Sequence, residues 1–566
     1  MKDAMTEFDS WSFRRSKRRT CIAALMILAD FWGAQAIAAA SYRPIVPVAP
    51  TADQSVTLTG HDLTVDQVIG VARYGQTVDV TPEARRHQED AHALMLEGAA
   101  EGLAIAGFNR GGPTGDTVFF EGDPTSPDIA AGLQQRALAS FQGGAAPSGS
   151  PQIAEEETVR ALMVVRANTL TYAPASAPVM QMLIDLLNSR ITPVAPLPAG
   201  PGGAEAALAA VAATMVGKGD AYYHGIRVTA AQALGQAGLT PLSPVDADYQ
   251  ALTDSDAYDI GRAALLLADG RRALEWTDLI FAMDLDGMNA GIAPLSLPAQ
   301  ANRPFKWIYW DAGRVLDMLK GGYLFDDAGA PAIVPAAPPR RYPGNMTLSP
   351  TRQGAGWQAW GALRAATLIA LNSSDQSPAF RVGLSPRESA ELSTPQMMKY
   401  YVKGGKLNGG KRGFIVPTLN RDPYPMANEI TLFTAALGML DQALAQRTGA
   451  PLPGAPPLPD EDMVAVAHAR QAIDATFGLL AIDLTNAAKL MDMRAAENSA
   501  RLFGIPPTAA WAAFRMAVPA QMTGDSALAG AWQFLQTNQP AMFYPKGGQP
   551  PGTDDPIPLA QEKLKP

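Results

Sequence analysis

The chain has 566 residues, 47% of them hydrophobic and 17% charged, with a formal net charge of −9 at pH 7. That composition supports one large or two ordinary globular domains with a substantial core, and it excludes a disordered chain. The acidic balance excludes a basic nucleic-acid surface. Ala-rich runs, scarce β-branched alternation and apolar residues three and four apart predict a mostly helical protein.

The first segment reads as an export leader over residues 1–40. A basic stretch, Arg14 to Arg19, precedes the apolar run TCIAALMILA, which is too short to span a bilayer, and a small-residue cleavage site before Ser41. Periplasmic or secreted protein is expected, by the general or the twin-arginine route; the alternative is an uncleaved anchor or a basic tail. Cleavage leaves a charge of −11 and removes Cys21, the only cysteine, so the mature chain has no disulfide, Cys–metal site or Cys nucleophile.

Residues 41–250 form an N-terminal region that carries the site loops. Within it LTVDQVIGVARYG predicts a short helix entered through a Thr cap. Residues 107 to 156 predict long loops around a helix near AAGLQQRALASF, and APVMQMLIDLLNSRI places Val179, Leu183 and Leu186 on one helical face. Residues 251–546 predict a helical bundle. Ile430, Phe433, Leu437, Leu440 and Leu444 stripe one helix over 429 to 447; Ile473, Phe477, Leu480, Leu484 and Met491 stripe another over 467 to 494. The prolines between them forbid a continuous helix, and residues 547–566 predict a disordered tail.

Several of these segments, taken in order, resemble the aromatic amino acid lyase family of histidine, phenylalanine and tyrosine ammonia-lyases. The opening helix is one. GFNRG at Gly107 to Gly111 is similar to the family's Gly-x-Asn-x-Gly loop, and RANTL at Arg166 to Leu170 to its Arg-Ala-Asn helix. The run LLNSRITPVAP, then LAAVAATMVGKGDAYYHG, follows the family around its active-site tripeptide. LNRDPYPMANEITLFTAALGMLDQALAQR, DEDMVAVAHAR and LAIDLTNAAKLMDMR resemble its later bundle helices. The resemblance covers about residues 60 to 500. It implies an all-α, long-helix bundle of the histidine ammonia-lyase/fumarase-like fold, a homotetramer, and loss of ammonia from an α-amino acid. Family members cyclise Ala-Ser-Gly into a methylidene-imidazolone electrophile, and a loop tyrosine removes the β-proton.

The resemblance places Pro201-Gly202-Gly203 on that tripeptide. The methylidene arises by dehydrating a side chain, which Gly202 lacks, and no Ser, Thr or Cys occurs from Pro193 to Ala213. Methylidene-imidazolone is therefore not expected, and no other cofactor is. The tyrosine position falls on Ala106, with no tyrosine between Tyr74 and Tyr172. The family's Asn-Gly-Thr falls on Thr253 to Ser255, and the His of its Ser-His pair on Phe141. Asn109, Asn168, Asn420 and Glu461 match polar pocket positions, and Arg352 stands for the carboxylate-binding Arg. For each the alternative is a cap or a surface residue. A block of family residues is also missing after Arg447.

Two other features weigh against strong chemistry. The Gly- and Lys-rich run from Lys403 to Gly413 reads as a solvated loop or an anion site. His87 and His92, five apart, read as surface residues and not as a metal pair. Three functions stay open: a catalytically degenerate exported homologue that binds an amino-acid-like or aromatic acid, an active carbon–nitrogen lyase that eliminates a quaternary-ammonium-type leaving group without the electrophile, or a structural bundle.

Overall fold

The computed structural model describes residues 55–111, 117–144, 153–197, 203–301, 305–326, 342–375, 377–418, 426–453 and 462–543. The chain enters through β1 (Val56–Leu58), which pairs in parallel with β2 (Val78–Val80) across α1 (Val65–Tyr74). The expected Thr cap is a full capping box: Thr64 Oγ1 accepts from the Gln67 amide, and the Gln67 side chain accepts from the Thr64 amide at 2.8 Å. Gly75, in the left-handed region at φ 66°, ends the helix.

Next come α2 (Pro82–Ala100), the small hairpin of β3 (Arg110–Gly111) and β4 (Thr117–Val118), and α3 (Pro127–Gly143), the helix expected within a loop-rich stretch. The helices α4 (Glu156–Thr169) and α5 (Ala177–Asn188) follow, and Val179, Leu183 and Leu186 are fully buried on α5. A three-stranded antiparallel sheet of β5 (Ile191–Pro193), β6 (Asp220–Tyr223) and β7 (Ile226–Thr229) brackets α6 (Gly203–Met215), and α7 (Asp248–Thr253) leads into the bundle.

The bundle is built on α8 (Ala257–Met288), a 32-residue helix packed by α4, α9 (Lys306–Leu319), α10 (Ser349–Leu371) and α12 (Asp462–Glu497). α11 (Met426–Thr448) lies against α10 and α12, while α13 (Ile505–Ala517) and α14 (Gly524–Thr537) close one end. The stripes expected on α11 and α12 are buried at every one of their ten positions. α8 has no stripe because it is covered nearly all round, as a central helix must be.

Such burial leaves the inner aspartates of α8 without water, so they need partners from neighbouring helices. Asp269 takes both Nη groups of Arg73 at 2.8 Å. Asp278 meets the Arg314 Nε at 3.1 Å and accepts from Gln353 and the Trp357 indole at 3.0 Å each. Asp284 lies 3.6 Å from the Arg447 Nε, and Arg447 also bonds Asp483 of α12. One contiguous apolar core runs from Val56 to Phe543 around this ladder. A smaller cluster joins α2 to the sheet of β8 (Ala379–Val382), β9 (Tyr401–Val402) and β10 (Gly413–Val416), in which β10 is central. Among the described residues, no helix is long and apolar enough to cross a membrane.

Candidate active site

Where α8 begins, three segments converge. Arg166 on α4 is fully buried; its guanidinium donates to the Leu252 carbonyl at 3.0 Å, to the Ala251 carbonyl, to Thr169 Oγ1 at 2.7 Å and to Asp375 at 3.0 Å. Two of those acceptors are the last carbonyls of α7, so the arginine of the RANTL motif caps that helix. Ser255 Oγ accepts from the Ala257 amide at 3.1 Å, donates to Asp375, and so starts α8. The Thr253–Ser255 segment thus bonds to nearby groups of its own helix junction: Thr253 is buried with its hydroxyl donating to the Tyr249 carbonyl at 2.9 Å, one turn back in α7. Beside it, burial and then the carboxylates of Asp375, Asp259 and Asp254 push Asp256 up to about 7.

One turn further along α8 a cavity of about 300 Å³ opens between α4, α8 and α12. Its apolar wall includes Ile153, Leu197, Leu265, Leu266 and Val466; its polar lining is Glu155, Thr158, Tyr258, Arg262 and Arg470. Leu197 stands four residues before Pro201 in the chain. Arg470 lies 3.3 Å from Glu155 and 3.6 Å from Glu157. Tyr258 is fully buried and its hydroxyl has no hydrogen-bond partner among the described residues. Burial raises the Tyr258 phenol above its ordinary range, so at neutral pH it is a donor and not a base.

The residues expected to bind substrate are distributed differently. Asn109 is buried, but its amide is used locally: Oδ1 accepts from the Ile105 amide and Nδ2 donates to the Leu103 carbonyl, both at 2.8 Å. Asn168 ties three segments, accepting from the Gly60 amide at 3.0 Å and donating to the Leu371 carbonyl at 2.9 Å. Arg352 sits in the first turn of α10 with its Nη1 2.9 Å from the Met439 sulfur. None of the three lines the cavity. Ala106 is half-buried and bridges to Arg110 in the loop before β3, and Phe141 is fully buried with its ring 5.7 Å from that of Tyr249. Gly202, Asn420 and Glu461 lie outside the described residues.

One sequence expectation needs correction. His87 and His92 are half-buried and not surface groups: His87 Nδ1 lies 2.8 Å from the Thr171 carbonyl, and His92 Nε2 lies 3.0 Å from Asp246. Among the described residues no group of three or more potential ligands could hold a metal. The Lys403–Gly413 run is mostly exposed, in keeping with a loop, and its amides are not free for an anion. The amides of Lys403 and Gly404 donate to Glu101 at 3.0 Å and that of Leu407 to Glu97 at 2.9 Å, so carboxylates of α2 already fill the role of the anion.

Sequence reasoning missed Tyr258, Arg262 and Arg470. The available signal was the four-residue spacing of Tyr258 and Arg262, which puts both on one helical face.

Comparison with known proteins agrees with this architecture. Residues 63–450 match the aromatic amino acid lyase family model. A histidine ammonia-lyase of Treponema denticola is 29% identical over 270 residues, 47% of this chain and 51% of that protein. One from a Geobacillus species is 26% identical over 328 residues, 57% of this chain and 61% of that protein. The chain therefore matches between half and two thirds of the length of these relatives. Among solved structures, the ergothioneine-degrading ergothionase of Treponema denticola superposes with a TM-score of 0.66 at 19% identity, covering 86% of this chain and 99% of that one. Phenylalanine aminomutase of Pantoea agglomerans gives 0.67 at 16% identity, over 86% and 99%. With the family model matching well over half its length, and the long-helix bundle alike, the chain belongs to the aromatic amino acid lyase family.

Proposed function

We propose that this protein is an exported member of the family that forms no methylidene-imidazolone and keeps a pocket for an amino-acid-like or aromatic acid ligand. One observation carries the reading: from Pro193 to Ala213 there is no Ser, Thr or Cys whose dehydration could supply the methylidene. Ala106 at the tyrosine position and the local backbone bonds of Thr253 and Ser255 support it, since positions that serve the electrophile elsewhere in the family are engaged in packing here. The test is intact mass and near-ultraviolet absorbance of the purified chain, with ammonia release assayed on histidine, phenylalanine and tyrosine. The reading expects no dehydration deficit, no added absorbance band and no ammonia. A water-loss deficit mapped to residues 201–203, or ordinary turnover, overturns it.

Asp256 favours a second reading. A carboxyl group near 7 at the start of α8 is matched to proton transfer at neutral pH. An elimination from a quaternary ammonium, in which a base takes the β-proton and the nitrogen leaves as a neutral tertiary amine, needs no electrophile. Release of trimethylamine from a betaine-type amino acid, abolished by Asp256→Asn, would select this reading over the first.

A further inference from the structure

The cavity beside α8 holds an electrostatic imbalance. Of its three charged lining residues, Glu155 and Arg470 face each other at 3.3 Å. The third, Arg262, is half-buried and has no carboxylate within 4.0 Å among the described residues, Asp259 on its own helix included. Its guanidinium carbon lies 5.4 Å from the centre of the Tyr258 ring, and the cation favours the phenol oxygen's charged form, so its near neighbour is the tyrosine and not a carboxylate. Tyr258 adds a second lack, a buried hydroxyl whose proton has no acceptor within hydrogen-bond distance among the described residues. A buried donor without an acceptor costs stability and calls for an explanation. Two neighbouring donors, one charged, share one apolar-walled space, and an oxyanion satisfies both.

We propose that this cavity binds a small apolar monocarboxylate, its carboxylate held by Arg262 with Tyr258 as second donor and its ring or branched chain against Leu197, Leu265, Leu266 and Val466. The inference rests on the reading of this protein as a ligand-binding member of its family, and narrows the ligand class. The sign of the charge does the narrowing. A carboxylate without an ammonium neutralises the one unmatched cation, whereas a zwitterionic amino acid brings an ammonium whose only anionic lining group, Glu155, already serves Arg470. The volume of about 300 Å³ stands at the small end of ligand cavities and suits one ring and a short chain.

The experiment is calorimetric titration of the full chain with three compounds of one skeleton: 3-phenylpropionate, phenylalanine and 3-phenylpropan-1-ol. The acid is expected to bind at least about 10-fold more tightly than the other two, since a charged hydrogen-bonded partner is worth that much or more. Arg262→Gln should weaken the acid by about 10- to 100-fold, while Arg227→Gln, a change at an exposed arginine paired with Asp220, should leave it unchanged. Leu197→Trp, at the half-open wall, should block entry and guards against an Arg262 variant that fails to fold.

Equal affinity of wild type and folded Arg262→Gln overturns the assignment, as does tighter binding of phenylalanine than of the acid. In those cases a ligand is still bound, and the broader functional reading survives. Binding of none of the three compounds overturns the subsite and removes the support for a ligand of this class. The electrophile half of the functional reading is decided separately by mass.

Discussion

At the scale of single residues, this protein carries an unusual number of carboxyl groups held away from water. Asp441 on α11 is a clear case: it is buried, accepts from Thr476 Oγ1 at 2.8 Å, and burial pushes it up to about 7. Asp286 is likewise pushed up to about 7 by burial. The folded state binds these protons more tightly than the unfolded chain, so their contribution to stability is complete below about pH 4 and is lost as pH rises through 7. For Asp441 the loss is on the order of 4 kcal/mol across that interval. Asp441→Asn, which never ionises, should therefore lose less Tm than wild type between pH 5 and pH 8 in paired thermal melts; parallel curves would contradict the assignment. Arg447 shows the opposite dependence on context. Its removal strands Asp284 and Asp483 together, and Arg447→Met should cost about 3–5 kcal/mol in denaturant unfolding.

At the scale of elements, the acidic face of α2 fixes the glycine-rich run before β10. Glu97 and Glu101 accept three of its amides, and Asp90 pairs with Lys411. Glu101→Gln should speed hydrogen exchange at Lys403 and Gly404 by about 10- to 100-fold, the worth of a charge-assisted bond, while the α2 amides keep their rates. Packing between elements is equally specific. A Cβ on Gly354 of α10 would stand 2.6 Å from the Ile308 Cα, backbone that cannot rotate away, so Gly354→Ala should separate α9 from α10 and cost about 1–3 kcal/mol.

These elements also show what the sequence discloses. The Thr64 cap and the stripes of α11 and α12 are readable because each helix has one wet face, which prints a period on the chain. α8 prints none, because it is covered all round. The glycine run from 403 to 413 leaves a solvated loop and an anion site both open on local chemistry, while the carboxylates that take its amides come from glutamates some three hundred positions earlier. Tyr258 and Arg262 escape notice for a similar reason: the unmet hydrogen bond of one and the missing counter-ion of the other are properties of the packed neighbourhood and not of the letters.

At the scale of the whole molecule, the assembly is the open quantity. Leu432, Ile369, Met493 and Ile505 stand exposed on bundle helices or at their ends, with Leu432 59% and Ile369 70% accessible. Apolar groups in such positions on a long-helix bundle are suited to burial against further copies. Light scattering on the chain from Ser41 onward should give a mass well above 60 kDa, with a tetramer as the expected state; a monomer at micromolar concentration would contradict it.

The ladder of paired charges along α8 bears on how such a protein changes over time. Each rung joins two or three helices, and loss of one member leaves a stranded ion in the core, so substitutions arriving singly are barred there. The loop around residue 106 carries no buried ion pair of this kind among the described residues, and one change at a time can pass through it. A lineage can therefore vary such loops stepwise while its frame stays fixed. For a chain built this way, shared ancestry read from the core and activity read from the loops are separate questions.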